Sequence, residues 1–128
     1  MNTVGLEDAK TWPGLDVFDQ EGERVGRLSG IYVTADSSRP EFGLVRTGLF
    51  GLRSVLVPLT GAFEEGGAVI VDLDKHAIKG APHLRRDEPL SDEAERELYA
   101  HYGLDREPGP RLELWGLEHA DRLAGRRG

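Results

Sequence analysis

Short apolar runs, many of them rich in β-branched residues, recur between residues 15 and 73 and are separated by glycine- and proline-containing connectors. Runs of this kind at intervals of about ten residues are typical of a small all-β sandwich or barrel. The pattern predicts strands over residues 15–19, 24–34, 42–47, 53–59 and 68–73, and a short sixth strand over 75–82. Gly26 and Gly30 interrupt the second strand, and such glycines often mark bulges or bends, which suits a coiled barrel strand.

The connector between the third and fourth strands departs from this pattern. Glycines bracket it at Gly48 and Gly51, which predicts an antiparallel hairpin. Hairpin tips are usually polar, but this one is apolar, so it either folds over the open barrel end or is covered by another chain. Two arginines flank it and are positioned to meet acidic groups of a second subunit. The candidate partner contacts in a homo-oligomer are Arg46, Leu49, Phe50, Leu52 and Arg53.

The period changes after Pro89 and predicts a helix. Ser91 is a good N-cap residue, acidic residues follow in the first turn, and Gly103 is a natural C′ residue. Apolar residues recur every four positions and predict one buried face, formed by Leu90, Ala94, Leu98 and Tyr102 with Tyr99 beside them. A helix of about twelve residues is not stable alone, so it must pack on the barrel or on another subunit.

Four regions follow from these patterns. They are an N-terminal extension over residues 1–13, a β domain over 14–82, a helical region over 83–104, and a linker with a partly ordered tail over 105–128. Leu114, Leu117 and Ala120 have the spacing of a second short helix in that tail, and ordered docking of residues 111–124 is left open.

Composition limits the function classes. The formal net charge of -7 disfavours a phosphate backbone as the main partner. The chain has no cysteine, which excludes disulfides, thiolate nucleophiles and thiolate metal sites. The sequence contains neither a signal-peptide pattern at its N-terminus nor an apolar run of about 20 residues. We therefore expect a soluble protein of the cytoplasm.

The residues that carry chemistry show no catalytic arrangement. None of His76, His83, His101 and His119 has a partner at metal-binding helical spacing. His76 with Asp72 and Asp74 is the best candidate metal site, but turn residues at a strand end explain the same trio. The paired carboxylates lie in turns or at a helix start, and no nucleophile elbow or phosphate-binding glycine loop occurs. We expect no enzyme activity, no catalytic residue, no metal and no cofactor.

The order of four segments resembles the PRC-barrel family of small β-barrels. The segments are residues 14–28, 41–46, 54–59 and 75–82, the last followed by the helix that ends at Tyr102-Gly103. The resemblance implies a mainly β fold, a six-stranded and partly open barrel with a C-terminal amphipathic helix. It also implies an interaction platform without shared catalytic residues. Related domains occur in the H subunit of the photosynthetic reaction centre and in a ribosome maturation factor that binds a ribosomal protein.

We therefore expect a bacterial-type, non-catalytic protein-interaction module that binds a protein partner or itself. The alternative is an RNA- or ribosome-associated assembly factor, which the maturation-factor resemblance keeps open. RNA recognition requires a basic face with aromatic stacking residues, whereas Phe18, Phe42 and Phe63 are expected in the core. Nucleic acid is therefore not the expected direct ligand, and membrane insertion is not expected. A six-stranded barrel is also filled by its own side chains, which disfavours a small ligand inside it.

Overall fold

The computed structural model describes residues 5–35, 38–48, 53–84, 90–104 and 112–116. Three helices and eight strands lie within these ranges. The helices are α1 (Leu6–Ala9), α2 (Lys75–Lys79) and α3 (Asp92–His101). The strands are β1 (Asp16–Phe18), β2 (Arg24–Thr34), β3 (Pro40–Thr47), β4 (Arg53–Pro58), β5 (Phe63–Glu65), β6 (Ala68–Ile70), β7 (His83–Leu84) and β8 (Leu112–Gly116).

All eight strands belong to one sheet, with the order β5-β6-β1-β2-β3-β4-β7. The β1–β6 pair is parallel and the other pairs are antiparallel. Strand β2 pairs with two strands along the same edge. Its Arg24–Arg27 segment pairs with β1, and its Gly30–Thr34 segment pairs with β8. The register of β2 shifts next to Gly26 and Gly30, where the sequence predicts bends.

The sheet curves around an aliphatic cluster, called here the interior core. Alternate side chains of β3 and β4 point into it, whereas the register shifts of β2 space its core residues two or three positions apart. Ala9 and Trp12 also pack there, so α1 and the turn after it cover part of the barrel. The buried members are Ala9, Trp12, Val17, Val25, Leu28, Ile31, Val33, Val45, Val55, Val57, Leu59, Ala62, Val69, Val71, Ile78 and Ala81.

A second cluster, called here the outer core, lies on the opposite face of β2, β3 and β4. Helix α3 covers that face, and β8 adds Leu112 and Leu114. Strand β8 also sends Trp115 to the interior core, so its alternating side chains serve both clusters. The buried members of the outer core are Tyr32, Phe42, Leu56, Leu90, Leu98, Tyr99 and Leu112.

Helix α3 has the ends that its sequence predicts. The Ser91 side chain accepts a hydrogen bond from the Ala94 N–H at 3.0 Å, which is an N-cap. Gly103 has a φ of 68°, and the Leu104 N–H donates to the Tyr99 carbonyl at 2.9 Å. With the Gly103 N–H donating to Ala100, these bonds form a Schellman motif. The expected mainly β, partly open fold with a C-terminal helix is confirmed.

The strand predicted over residues 75–82 is wrong, because Lys75–Lys79 forms helix α2. The Asp74 carboxylate caps this helix by accepting from the Ala77 N–H at 3.1 Å, and Ile78 packs into the interior core. Pairing at this edge passes instead to the two-residue strand β7. The strand count also differs from the six implied by the resemblance, because β5, β7 and β8 were not expected.

Two further expectations need correction. Phe63 is 49% exposed, not core, because its pairing with Ile70 puts it on the outer face of an edge strand. Residues 112–116 form strand β8 and not a helix, because the free edge of β2 at Gly30–Thr34 supplies ladder hydrogen bonds. Leu117 and Ala120 lie outside the described residues.

Candidate functional site

The β3–β4 hairpin carries the predicted partner contacts. In its ladder Thr47 pairs with Arg53, and Arg46 pairs with Ser54. Because successive side chains alternate between faces, Arg53 lies on the interior face and Arg46 on the outer face. The structure therefore separates the two arginines. Leu49, Phe50 and Leu52 lie outside the described residues, and their role as partner contacts stays a prediction.

Arg53 lines a cavity of about 180 Å³ that opens to solvent at this end of the barrel. We call it the barrel-end cavity. Its floor is apolar and its rim is cationic, with a backbone turn completing the wall. The floor is formed by Val25, Val55 and Ile78, the wall by Thr47 and Gly48, and the rim by Arg53, Lys75 and Lys79.

Three elements build this cavity. Strands β2 and β4 supply Val25 and Val55, which belong to the interior core and also line the cavity. Helix α2 lies across the barrel end, and its lysines four residues apart stand on one side of Ile78. The Asp74 cap fixes the start of this helix. The cationic rim therefore depends on α2, where the sequence analysis predicts a strand.

The rim cations differ in their surroundings. Arg53 and Lys79 are exposed, and neither forms an ion pair with a carboxylate of the described residues. Lys75 is half-buried, and its charge acts on Asp19. Lys75 and Lys79 also border a polar cleft of about 340 Å³ that contains four carboxylates, those of Asp19, Glu21, Glu23 and Asp74. Arg53 is therefore the rim cation with the least competition from neighbouring acids.

Asp19 connects the β1–β2 turn to helix α2 beside the barrel-end cavity. Its carboxylate accepts hydrogen bonds from the backbone N–H groups of Glu21, Glu23 and Lys75 at 2.8–2.9 Å. Burial raises the pKa of Asp19, but these three donors and the Lys75 charge outweigh it, so the pKa is lowered from its ordinary value. The ionised Asp19 carboxylate therefore links the β1–β2 turn to α2, and both of its oxygens already accept hydrogen bonds. Sequence reasoning missed it.

Sequence reasoning also missed Glu95. Its side chain is 1% exposed on α3, and Oε2 accepts from the Leu112 N–H at 3.2 Å. The sequence analysis counted Glu95 only among the acidic residues of the first turn, although its four-residue spacing from Tyr99 puts it beside the buried face. Its contact joins α3 to β8 and lies away from the residues that line the barrel-end cavity.

The two histidines whose side chains the structure describes, His76 and His101, have different contacts. His101 Nε2 lies 2.7 Å from the Ala77 carbonyl and links α3 to α2, whereas His76 borders the polar cleft. The part of the chain that the structure describes contains no group of three or more His, Asp or Glu residues arranged to hold a metal ion. The His83 side chain and His119 lie outside that part.

An apolar floor beside cations gives the barrel-end cavity a defined chemistry. It can bury a small apolar group while Arg53 and Lys79 bind a carboxylate near it. None of the helices in the described ranges is long and apolar enough to cross a bilayer.

The sequence model of the PRC-barrel domain family matches residues 6–78. This match covers more than half of the 128 residues and includes α1 and strands β1 to β6. Helix α3 and strand β8 follow the matched region. No curated protein matches the sequence. The matched length, together with the partly open sheet, shows that the chain belongs to the PRC-barrel domain family.

Proposed function

We propose that this PRC-barrel protein is a non-catalytic protein-interaction module that self-associates. The barrel-end cavity carries the proposal, because it combines an apolar floor with a cationic rim on a chain of net charge -7. Cations gathered at one mouth of an acidic protein attract an acidic partner surface, and a second copy supplies one. Cytoplasmic action is part of the proposal and comes from the sequence alone.

The rim residues allow a direct test. The double variant Arg53→Glu/Lys79→Glu reverses the two exposed rim charges and leaves the apolar floor in place. Analytical ultracentrifugation over a range of concentrations measures self-association. We expect the wild-type chain to associate and the variant to associate at least tenfold more weakly, because like charges then face the acidic partner surface.

The control is Arg39→Glu/Arg96→Glu, which makes the same charge change at two exposed arginines that do not line the cavity. This control should associate like the wild type. A wild-type chain that stays monomeric at all concentrations contradicts self-association. Equal weakening in both double variants shows only an effect of net charge.

The RNA- or ribosome-associated alternative gives a different result in the native host. An affinity purification of the wild-type chain, with and without ribonuclease treatment, separates the two. The proposal expects the same protein content in both samples, with the untagged chain among the retained proteins. Ribosomal proteins that are lost on ribonuclease treatment would support the alternative.

A further inference from the structure

The β5–β6 hairpin presents an apolar row at the edge of the sheet. Phe63 pairs with Ile70, and Ile70 pairs with Phe18, so the three side chains share the outer face. Phe18 and Ile70 are half-buried, and Phe63 is one of two large apolar side chains exposed among the described residues, the other being Leu104. The exposed Phe63 ring therefore continues into two partly exposed apolar side chains, and a continuous apolar patch, unlike an isolated side chain, indicates a contact surface.

Two carboxylates follow Phe63 directly. Glu64 and Glu65 are exposed, and neither forms an ion pair with a described residue. Strand alternation puts Glu65 on the same face as Phe63, about 7 Å further along the strand. The edge of the sheet therefore offers an aromatic ring with a carboxylate at a fixed distance.

The hairpin is accessible and well defined. Strand β5 is the end of the sheet path, and the turn that joins it to β6 is Gly66-Gly67, with φ values of 62° and 79°. Two consecutive residues of positive φ are typical of a tight type I′ turn, which fixes the pairing register of a hairpin. Phe63 and Glu65 are thus held on a short, regular element.

The hairpin and the barrel-end cavity complement each other in size and charge. A cavity of about 150 Å³ holds a benzene molecule, so the 180 Å³ cavity has room for one phenyl ring. When a ring occupies the apolar floor, a carboxylate on the same strand face comes within reach of the Arg53 and Lys79 side chains on the rim. The polar cleft beside the cavity is acidic and does not offer the same match.

We propose that the β5–β6 hairpin of one copy inserts Phe63 into the barrel-end cavity of a second copy, with Glu65 against Arg53 and Lys79. This inference rests on the proposed self-association and names its two surfaces. Because the surfaces differ, the contact is heterologous unless two copies exchange hairpins reciprocally. Each copy therefore carries one hairpin and one cavity, and either can be inactivated alone.

A complementation experiment tests the inference. The hairpin variant is Phe63→Ser/Glu65→Lys and the cavity variant is Arg53→Glu/Lys79→Glu; all four positions are at the surface, and circular dichroism checks folding. Each variant alone should associate at least tenfold more weakly than the wild type. An equimolar mixture should form a complex of two chains, because the hairpin of the cavity variant meets the intact cavity of the hairpin variant.

Three other outcomes would contradict either the inference or the proposed function. If the hairpin variant associates like the wild type while the cavity variant does not, the cavity receives another surface, and only the present inference fails. If both variants are weakened but the mixture stays monomeric, hairpin and cavity do not bind each other. A monomeric wild type would remove the proposed function itself.

Discussion

The two cores of this protein lie on opposite faces of the same three strands, but they are built differently. The interior core consists of aliphatic side chains with Trp12, and burial of apolar surface stabilises it without directional bonds. The outer core is rich in aromatic residues and includes polar contacts. Phe42 meets the Tyr99 ring edge-on at a centroid distance of 5.2 Å, and the Tyr102 hydroxyl donates to the Leu56 carbonyl at 2.7 Å.

The two cores differ in whether they must fix the position of a separate element over the sheet. A curved sheet already orients its interior side chains, so apolar residues of suitable size are enough there. Helix α3 is not part of the hydrogen-bond ladder of the sheet, and directional side-chain contacts hold it over the sheet. Tyr99 donates to Glu41 on β3, Tyr102 donates to β4, and Glu95 accepts from β8. The family match also ends before α3 and β8, so the outer core covers a face of the matched barrel.

The largest expected effect is on the free energy of unfolding, and it compares the two cores by truncating one leucine in each. Leu28→Ala empties part of the interior core and should lower the free energy of unfolding by about 3 kcal/mol. Every region should lose protection together, because this core joins most of the strands. Leu98→Ala truncates α3 in the outer core and should expose α3 and β8 while the barrel amides keep their protection.

Urea denaturation with hydrogen exchange resolved by residue measures both effects. The two substitutions are chemically identical and both side chains are almost fully buried, so the comparison isolates the core. Equal loss of protection in the barrel for both variants would show that the two cores unfold as one unit, and the distinction drawn here would be wrong.

The second expected effect concerns Glu95. Glu95→Ala removes the acceptor of the Leu112 N–H and leaves that buried donor unpaired, which costs about 2 kcal/mol. The loss should be greatest for amides of β8. Glu95→Gln keeps a side-chain oxygen and should recover most of it. Glu93→Ala is the matched control, because Glu93 is exposed on the same helix. Unchanged exchange of the β8 amides in Glu95→Ala would contradict a link between α3 and β8.

Local signals predicted much of this fold. Ser91 and Gly103 each act through groups within a few residues, so the ends of α3 follow from its sequence. The hairpin of β3 and β4 has the same local origin. Strand β8 does not, because its partner, the free edge of β2, is distant in the chain and its apolar residues also fit helical spacing. For α2 the signal was present in Asp74, a typical N-cap residue, but the segment was interpreted as a sixth strand that stops at Gly80 and Pro82.

The predicted partner contacts stay a prediction, but the structure shows where their described members lie. Arg53 lines the barrel-end cavity. Arg46 was grouped with it by closeness in sequence, although the period of a strand puts the two on opposite faces once the register is known. Lys75 and Lys79 were missed, because their place on the rim depends on α2. Phe63 was assigned to the core from its aromatic character alone, and only the pairing with Ile70 shows that it faces outward.

A smaller effect comes from the Tyr102 hydroxyl. Tyr102→Phe removes one hydrogen bond to a carbonyl and should lower stability by about 1 kcal/mol. Burial raises the pKa of Tyr102, so the folded state favours the protonated phenol. The contribution is therefore complete below the ordinary tyrosine pKa of about 10 and declines as the pH rises above it. Urea denaturation of both proteins at pH 7 and pH 11 measures this. A difference that grows at pH 11 would contradict the assignment.

The last expected effect tests whether directional side-chain contacts are confined to the outer core. Asp19 lies at the edge of the interior core and holds the β1–β2 turn and α2 through three backbone N–H donors. Its folded-state pKa is lowered, so its ionised form stabilises the fold above the ordinary aspartate pKa of about 3.9, and this contribution is lost as the pH falls through the lower folded value.

Thermal unfolding of the wild type and of Asp19→Asn between pH 6 and pH 2 makes the test specific. The wild type should be more stable at pH 6, and the two melting temperatures should converge as the pH falls, because the asparagine has no proton to bind. Asp8→Asn, at an exposed acid of α1, is the matched control and should keep the wild-type slope. A constant difference between the wild type and Asp19→Asn would mean that the amide replaces the carboxylate fully, and that charge contributes nothing to this link. Convergence would instead show that the barrel also uses one directional contact, at the point where α2 must be held for the cavity rim to form.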